Sequence, residues 1–210
     1  MSKTGIILDI DNTLARTSES FFFCMAERFG VPPGMTAEGL YRQYGYSWRV
    51  PMWQHDEAAR WANLQEASTE FHAAISVIDE ARLGVAKIEA MTGVAAYVST
   101  RPEATRTVTE NWLAQYSFPR ATLVMRPDHV PLKEGNRWKA SVVCNRYSSS
   151  FGIVDDHHDV ALSLKDLYRG YVFISNVRAP EFVALRVVHC KHWRDVVREV
   201  EERYACIHAD

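Results

Sequence analysis

Short apolar runs that alternate with helical patterns are the feature that most restricts how this chain can fold. The runs are rich in Ile, Val and aromatic residues and lack alternation of apolar and polar residues, which is typical of strands covered on both faces. They are GIILDI (5–10), VAAYVS (94–99), ATLVM (121–125), FGIVDD (151–156) and YVFIS (171–175), with LRVVHC (185–190) as a further candidate. Helical patterns separate the later runs. The alternation predicts an α/β fold with a doubly wound, Rossmann-like, mainly parallel sheet.

The segment 17–79 breaks this alternation, because it contains helical patterns and no convincing strand. A turn-rich stretch, GVPPGMT, interrupts it at 30–36. Further on, apolar residues recur at spacings of three and four, which predicts one stripe suited to helix packing. The stripe consists of Trp61, Leu64, Ser68, Phe71, Ile75 and Ile78. We therefore predict a core formed by residues 1–16 and 80–210, with residues 17–79 inserted as a small helical cap.

The composition is that of an ordinary soluble globular protein. Of 210 residues, 47% are apolar and 24% are charged, and the formal net charge is −2. Such a charge gives no general attraction to nucleic acid or to an anionic membrane, and no apolar run approaches the roughly 20 residues of a membrane span. MSKTG leads directly into the first strand, and the four cysteines form no CxxC pair. We therefore expect no signal peptide, no membrane partner and a cytoplasmic location.

Acidic and polar residues follow the predicted strands at their carboxyl ends, where parallel sheets bind ligands. Asp9 and Asp11 follow the first strand, and Asp155 and Asp156 end the fourth. The second strand ends with Ser99, Thr100 and Arg101. Carboxylates from adjacent strands repel one another and raise each other's pKa values unless a cation lies between them. Mg²⁺ prefers such oxygen ligands and attracts phosphate. The pattern predicts a Mg²⁺ site that receives a phosphorylated substrate.

These residues resemble the four motifs of the haloacid dehalogenase-like superfamily. DIDNT at 9–13 matches its DxDxT signature, and VDD at 154–156 matches its fourth motif. Ser99 stands at the second motif, and Lys133 or Lys139 at the third. A helical insert between the first two motifs is the position of that superfamily's type 1 cap. The resemblance implies a phosphatase, a phosphoric monoester hydrolase that uses Mg²⁺.

The resemblance also implies a role for each acidic residue. Asp9 is expected to attack phosphorus and form an aspartyl-phosphate, and Asp11 to protonate the leaving oxygen and then activate water. Mg²⁺ is expected to bind Asp9, Asp155 and the backbone carbonyl of Asp11, with Asp156 in support. Halide leaves without a proton, so an acid at Asp11 favours cleavage of a phosphate ester over dehalogenation.

Two lysines are candidates for the third motif. Lys133 lies 22 positions before Asp155, and Lys139 lies 16 positions before it. KEGNRWK, which begins at Lys133, resembles the corresponding segment of phage polynucleotide kinase 3′-phosphatase domains, and Ser99-Thr100-Arg101 resembles the same group. We therefore favour Lys133 as the catalytic lysine that, with Ser99, holds the phosphoryl oxygens. Lys139 stays the alternative.

Aromatic residues in the insert suggest a substrate class. Flat rings near a phosphate site suit stacking on a nucleobase. Three successive phenylalanines cannot share one helix face, so Phe21 or Phe23 is expected to turn toward the cleft. Arg101 and Arg126, after the second and third strands, are candidates to bind a second phosphate or a sugar, and for Arg126 a surface or capping position is the favoured interpretation. The substrate-binding candidates are Thr13, Phe21, Thr100, Arg101 and Lys139. The hypothesis is a small phosphorylated substrate, either a nucleotide or a nucleic-acid 3′-end.

Other functions fit the same motifs. The chain is alternatively a phosphatase of a small sugar or carboxylate phosphate, a phosphotransferase or mutase, or an inactive domain that only binds. Complete acidic motifs argue against the inactive domain. The run DDHHD at 155–159 suggests a transition-metal site, but consecutive histidines rarely converge on one ion, so a loop followed by a helix is the better interpretation. The sequence does not determine the oligomeric state.

Overall fold

A six-stranded sheet forms the centre of the structure, a computed structural model that describes residues 5–164, 166–176, 184 and 186–207. Its strands are β1 (Ile6–Leu8), β2 (Val94–Pro102), β3 (Thr122–Arg126), β4 (Gly152–Asp155), β5 (Tyr171–Ser175) and β6 (Val187–Cys190). Their order is β3-β2-β1-β4-β5-β6, and every neighbouring pair is parallel. The predicted doubly wound α/β fold is confirmed, including the sixth strand.

Nine α-helices lie within the described residues. They are α1 (Thr17–Phe29), α2 (Ala37–Tyr44), α3 (Asp56–Glu66), α4 (Thr69–Ala74), α5 (Asp79–Met91), α6 (Arg106–Gln115), α7 (Gly135–Arg146), α8 (His158–Leu164) and α9 (Trp193–Ile207). Single 3₁₀ turns occur at Ser47–Arg49, Pro51–Trp53, Glu103–Thr105 and Leu132–Glu134. In this part of the chain, every helix is too short or too polar to cross a membrane.

Helices cover both faces of the sheet, which explains why the strand sequences do not alternate. Ile6 and Leu8 of β1 belong to one apolar cluster with residues of α5, α6 and α9. Ile7, between them, belongs to a second cluster with residues of α7 and α8. All three side chains are fully buried. Apolar residues at successive positions are therefore what this strand requires.

The order of the strands creates a crevice between β1 and β4. From β1 the chain adds β2 and β3 on one side, and it then returns to add β4, β5 and β6 on the other. Ligands in such sheets bind where the order reverses, at the carboxyl ends of the strands. Leu8 pairs with Val154, and the backbone N–H of Asp9 donates to the Val154 carbonyl at 2.9 Å. The residues after β1 and at the end of β4 therefore meet.

The insert between β1 and α5 has a small apolar core of its own. Its buried members are Phe22, Met25, Leu40, Val50, Trp53 and Ala58. Described residues 17–79 contain helices and turns and no strand. Phe71 and Ile75, however, pack in the main core beneath the sheet. The exact division into core and cap stays a prediction.

The single stripe predicted from Trp61 onward is wrong. Helix α3 ends at Glu66 and α4 begins anew after Ser68, whose hydroxyl caps it by accepting from the Phe71 N–H at 3.1 Å. Leu64, a predicted member of the stripe, is 69% exposed. The regular spacing concealed the break, because serine fits both a helical pattern and an N-cap.

Gly84 of α5 lies against Trp193 of α9, where a Cβ would be 2.6 Å from the indole Cε3. The indole is tied in place because its Nε1–H donates to the Thr13 carbonyl at 2.8 Å. We expect Gly84→Ala to lower the free energy of unfolding by about 1–3 kcal/mol, since overpacking outweighs the gain in helix propensity. Urea denaturation measures it. Leu83→Ala, at an exposed site on the same helix, is the control, with an expected change below about 0.5 kcal/mol. Unaltered stability of Gly84→Ala would contradict the contact.

Candidate active site

A buried group of three carboxylates and one ammonium lies at the crevice between β1 and β4. Lys139 Nζ donates to Asp9 Oδ1 at 2.6 Å and to Asp155 Oδ2 at 2.8 Å. Asp156 belongs to the group, because carboxylate oxygens of Asp9, Asp155 and Asp156 lie within 4.8 Å of one another. All four residues are less than a tenth exposed. Three negative groups therefore share one positive partner in a site shielded from water.

The charge imbalance shifts the protonation equilibria of the group. Burial raises the pKa of Asp9 to about 7, against the opposing effect of Lys139 and with a contribution from Asp155. Burial, together with Asp9 and Asp155, also raises the pKa of Asp156 well above its ordinary value. For Lys139, burial alone would lower the pKa, but the two carboxylates raise it. The excess negative charge is what a divalent cation would neutralise.

The donor set fits Mg²⁺, which binds hard oxygen ligands. The group offers three carboxylates and no sulfur or imidazole ligand. Asp155 is oriented for this, since its second oxygen, Oδ1, accepts from the His157 N–H at 2.8 Å. The structure thus brings together the side chains predicted as metal ligands, Asp9, Asp155 and Asp156. For Asp11, the resemblance implies only the backbone carbonyl as a metal ligand.

Asp11 is held by Arg101. The guanidinium donates from Nε to both carboxylate oxygens, at 3.0 and 3.2 Å, and from Nη2 to Oδ1 at 2.8 Å. Thr17 adds a hydrogen bond from its hydroxyl at 2.6 Å. Burial alone would raise the pKa of Asp11, but Arg101 lowers it to about 2. Asp11 is therefore a carboxylate at neutral pH in this arrangement.

A cavity of about 720 Å³ separates these acidic residues from the insert. Asp9, Asp11, Lys139 and Asp156 line it from the core. From the insert it is lined by small, polar and acidic residues and by a set of rings that we call the aromatic wall, which includes Phe21, Tyr46, Trp48, Trp53, Phe71 and His72. The rings of Tyr46 and Trp48 stack at 4.4 Å, and Trp48 is 64% exposed. The cavity joins an anionic, lysine-containing end to an aromatic wall.

Three predicted site residues, Thr13, Ser99 and Asp155, are not among the residues that line this cavity. Thr13 is fully buried, and its hydroxyl donates to Asp9 Oδ2 at 3.3 Å, so it orients Asp9 instead of binding substrate. Ser99 is also fully buried, and its hydroxyl accepts from the Arg101 N–H at 3.1 Å. Arg101, predicted to bind substrate, binds Asp11. Thr100 and Phe21 do line the cavity, and their part in binding stays a prediction.

Lys139, and not Lys133, contacts Asp9. Lys133 lies in the 3₁₀ turn Leu132–Glu134, and its exposed side chain lines the cavity. Lys139 lies on α7, whose neighbouring Ala140 is packed in the core against the sheet. The sequence alone could not distinguish the two lysines, because the choice depends on where the turn ends and α7 begins: Lys133 falls in the turn and Lys139 on the helix.

His157, His158 and Asp159 form a second group whose potential ligand atoms lie within 4.8 Å of one another. The two imidazole rings stack with an interplanar angle of 9°, and α8 begins at His158. Their closeness is explained by the stacking of the two rings and by the Asp159 N–H, which donates to His157 Nδ1 at 3.3 Å. The structure agrees with the interpretation as a loop followed by a helix.

Sequence reasoning missed the residues that connect the insert to the core. Arg126 was expected at the surface, but it is 4% exposed and pairs with Glu66, the last residue of α3. Its Nε also donates to the Thr100 carbonyl at 2.8 Å. His72, which is 3% exposed, bonds to the Glu66 carbonyl at 2.8 Å. No motif marks these residues; only their three-dimensional neighbours do.

Comparison with solved structures identifies the fold. A structure described as a dehalogenase with intermediate complex superimposes with a TM-score of 0.57 and 14% identity over 94% of this chain and 97% of the other. A HAD-superfamily hydrolase from Ehrlichia chaffeensis gives a TM-score of 0.54 and 13% identity over 96% and 97%. No protein-family model matches the chain, and no curated protein matches it. At these identities the likeness establishes a haloacid dehalogenase-like fold.

The raised pKa of Asp9 predicts how stability depends on pH without metal. Its folded-state pKa of about 7 exceeds the model-peptide value of 3.8. The stabilisation that the protonated Asp9 contributes to the folded state is therefore complete below pH 3.8 and is lost as the pH rises through about 7. In EDTA, raising the pH from 5 to about 8 should lower the free energy of unfolding of the wild type by about 2–4 kcal/mol relative to Asp9→Asn.

Urea denaturation of both proteins at each pH measures this difference. Saturating Mg²⁺ at pH about 8 should restore about 2–3 kcal/mol to the wild type and clearly less to Asp9→Asn. A difference between the two proteins that does not change with pH would contradict the buried, destabilised carboxylate.

Proposed function

Because the chain has the haloacid dehalogenase-like fold, we propose that it is a Mg²⁺-dependent phosphomonoesterase that works through an aspartyl-phosphate at Asp9. One observation carries the proposal: Asp9, paired with Lys139, and Asp11, paired with Arg101, line the same cavity at the carboxyl ends of β1 and β4. A nucleophile and an acid–base group two residues apart are what two-step phosphoryl transfer requires.

In the first step a carboxylate oxygen of Asp9 forms a bond to phosphorus while the bond from phosphorus to the ester oxygen breaks. The leaving oxygen takes the electron pair and a proton from the Asp11 carboxyl group, which recovers a proton from water in the second step. Thr13 and Lys139 hold the Asp9 carboxylate by its two oxygens, which fixes its direction of attack. Lys139 also lies where an ammonium can stabilise negative charge on the phosphoryl oxygens.

In the second step water attacks the aspartyl-phosphate, the bond between phosphorus and Asp9 breaks, and phosphate leaves. Asp11 takes the proton from this water. The ion pair with Arg101 keeps Asp11 in the carboxylate form that can accept it, with its oxygens held by three donors from Arg101 and Thr17. For the first step, Asp11 must acquire its proton against the effect of Arg101.

Asp9, Asp155 and Asp156 would hold Mg²⁺, with the backbone carbonyl of Asp11 that the superfamily resemblance assigns. When bound, the ion would neutralise the carboxylates and attract the phosphate group. The fit rests on the three buried carboxylates within 4.8 Å of one another and on their single lysine partner.

The aromatic wall supports a nucleotide or nucleic-acid end as the substrate. Tyr46 and Trp48 stack on each other, and the exposed Trp48 indole lines the cavity, where a base could stack on it. The Arg49 guanidinium lies 5.0 Å from the centre of the Tyr46 ring and adds positive charge beside it. Stacking of a base on such a ring contributes roughly 1–3 kcal/mol.

Asp11 argues against the dehalogenase activity that the name of one structural neighbour suggests. A halide departs without a proton, so a dehalogenase has no use for an acid–base carboxylate two residues after the nucleophile. Here Arg101 and Thr17 both hold that carboxylate in place. Such an arrangement fits cleavage of an ester, in which protons must move.

With Mg²⁺ the protein should hydrolyse p-nitrophenyl phosphate and release inorganic phosphate. Asp9→Asn should lower kcat by at least about 10³-fold, because an amide cannot act as the nucleophile. Asp128→Asn, the same change at an exposed site, is the control. Steady-state release of nitrophenol and of phosphate is measured together. Equal turnover by Asp9→Asn would overturn the nucleophile, and nitrophenol without phosphate would indicate transfer to another acceptor.

The two lysines provide a matched test of the site. Lys139→Met should lower kcat for p-nitrophenyl phosphate by at least about 10³-fold, while Lys133→Met should lower it by less than about tenfold. Only Lys139 contacts Asp9 and Asp155. Circular dichroism of both variants checks folding, since removing one partner of a buried ion pair costs about 3–5 kcal/mol. The opposite ranking in folded variants would restore Lys133 as the catalytic lysine.

A further inference from the structure

His72 is a buried polar group in the cavity whose bonding is incomplete. Its ring is 3% exposed and lines the cavity beside the acidic residues. Its Nε2 bonds to the Glu66 carbonyl at 2.8 Å. Among the residues that the structure describes, its Nδ1 has no hydrogen-bond partner. Buried polar atoms are nearly always paired, so an unpaired one at a ligand cavity indicates what the ligand supplies.

The bond to Glu66 determines the tautomer. A carbonyl oxygen only accepts, so Nε2 of His72 must carry the hydrogen and donate. Burial, reinforced by Arg101, lowers the pKa of His72, so the ring is neutral at neutral pH. In a neutral ring with Nε2–H, Nδ1 carries a lone pair and can only accept. The missing partner is therefore a hydrogen-bond donor.

The position of His72 is fixed on both sides. The Ser68 cap starts α4, and the His72 backbone N–H donates to the Ser68 carbonyl at 3.2 Å. The Phe71 ring meets the imidazole edge-to-face at 5.5 Å. Glu66, which receives the Nε2 bond, is held in turn by Arg126 of the core. The acceptor is thus preorganised, and holding it ready costs little on binding.

We propose that Nδ1 of His72 accepts a hydrogen bond from a substrate hydroxyl next to the esterified carbon, so that the enzyme prefers phosphate monoesters of vicinal diols. This rests on the proposed function, in which Asp11 serves the ester oxygen. His72 lines the same cavity as Asp11 and Arg101, so a substrate whose ester oxygen meets Asp11 lies within that cavity together with the His72 ring. A neutral hydroxyl fits better than an ammonium, because the Arg101 cation is close.

Two pairs of substrates that differ only in this hydroxyl test the proposal. A ribonucleoside 3′-phosphate is compared with its 2′-deoxy analogue, and propane-1,2-diol 2-phosphate with isopropyl phosphate. In the wild type with Mg²⁺, kcat/KM should favour the hydroxylated member of at least one pair by about tenfold or more. The pair that responds shows whether the hydroxyl is read on a nucleoside or on a small polyol.

Two substitutions of His72 separate its ring atoms. Gln reaches the Nε2 position and can keep the bond to Glu66, but it has no acceptor at Nδ1; Asn places its carbonyl at the Nδ1 position. The ratio of kcat/KM between the hydroxylated substrate and its analogue should fall to about one in His72→Gln and stay at the wild-type value in His72→Asn. The ratio within each protein cancels any general loss of activity.

The outcomes distinguish a failure of the proposed function from a failure of the role proposed for His72. A wild type that releases no phosphate from any monoester, p-nitrophenyl phosphate included, would refute the proposed function. A wild type that hydrolyses p-nitrophenyl phosphate but treats both members of each pair alike would refute the role of His72 alone. Full retention of the preference in His72→Gln would do the same. The wild-type ratio decides even if a variant fails to fold.

Discussion

The buried charge imbalance at the ends of β1 and β4 is the constraint on which the rest of the structure depends. Asp9, Asp155 and Asp156 bring three carboxylates into a site with less than a tenth of each residue exposed, and Lys139 supplies a single positive charge. Burying such charges opposes folding unless they are neutralised. Under the proposed function, the chain keeps them because the same imbalance would attract a cation and, through it, a phosphate. Stability is given up at the place where chemistry is to occur.

Much of the fold could be predicted because strand burial leaves a direct pattern in the sequence. Ile6, Ile7 and Leu8 are all apolar because helices cover both faces of β1. The acidic residues could be predicted too, since they follow strands whose order brings their ends together. Lengths of helices in the insert could not, because Ser68 ends one pattern and begins the next without disturbing the spacing.

The details of the site depend on side-chain direction, which spacing does not reveal. Lys133 and Lys139 are six positions apart, and only the turn before α7 decides which one meets Asp9. Arg101 looks like a phosphate ligand in sequence, but its Nε and Nη2 both donate to the Asp11 carboxylate. The Thr13 hydroxyl likewise donates to a carboxylate, that of Asp9, and not into the cavity.

A series of contacts between the insert and the core connects His72 with Asp11. Arg126 at the end of β3 pairs with Glu66, whose carbonyl fixes the ring of His72. Arg101 at the end of the neighbouring β2 holds Asp11 and also acts on His72. Two adjacent strands therefore position both Asp11 and the part of the insert that carries His72. If His72 binds the substrate as proposed, the same contacts would align that substrate with Asp11, and one edge of the sheet would set both specificity and chemistry.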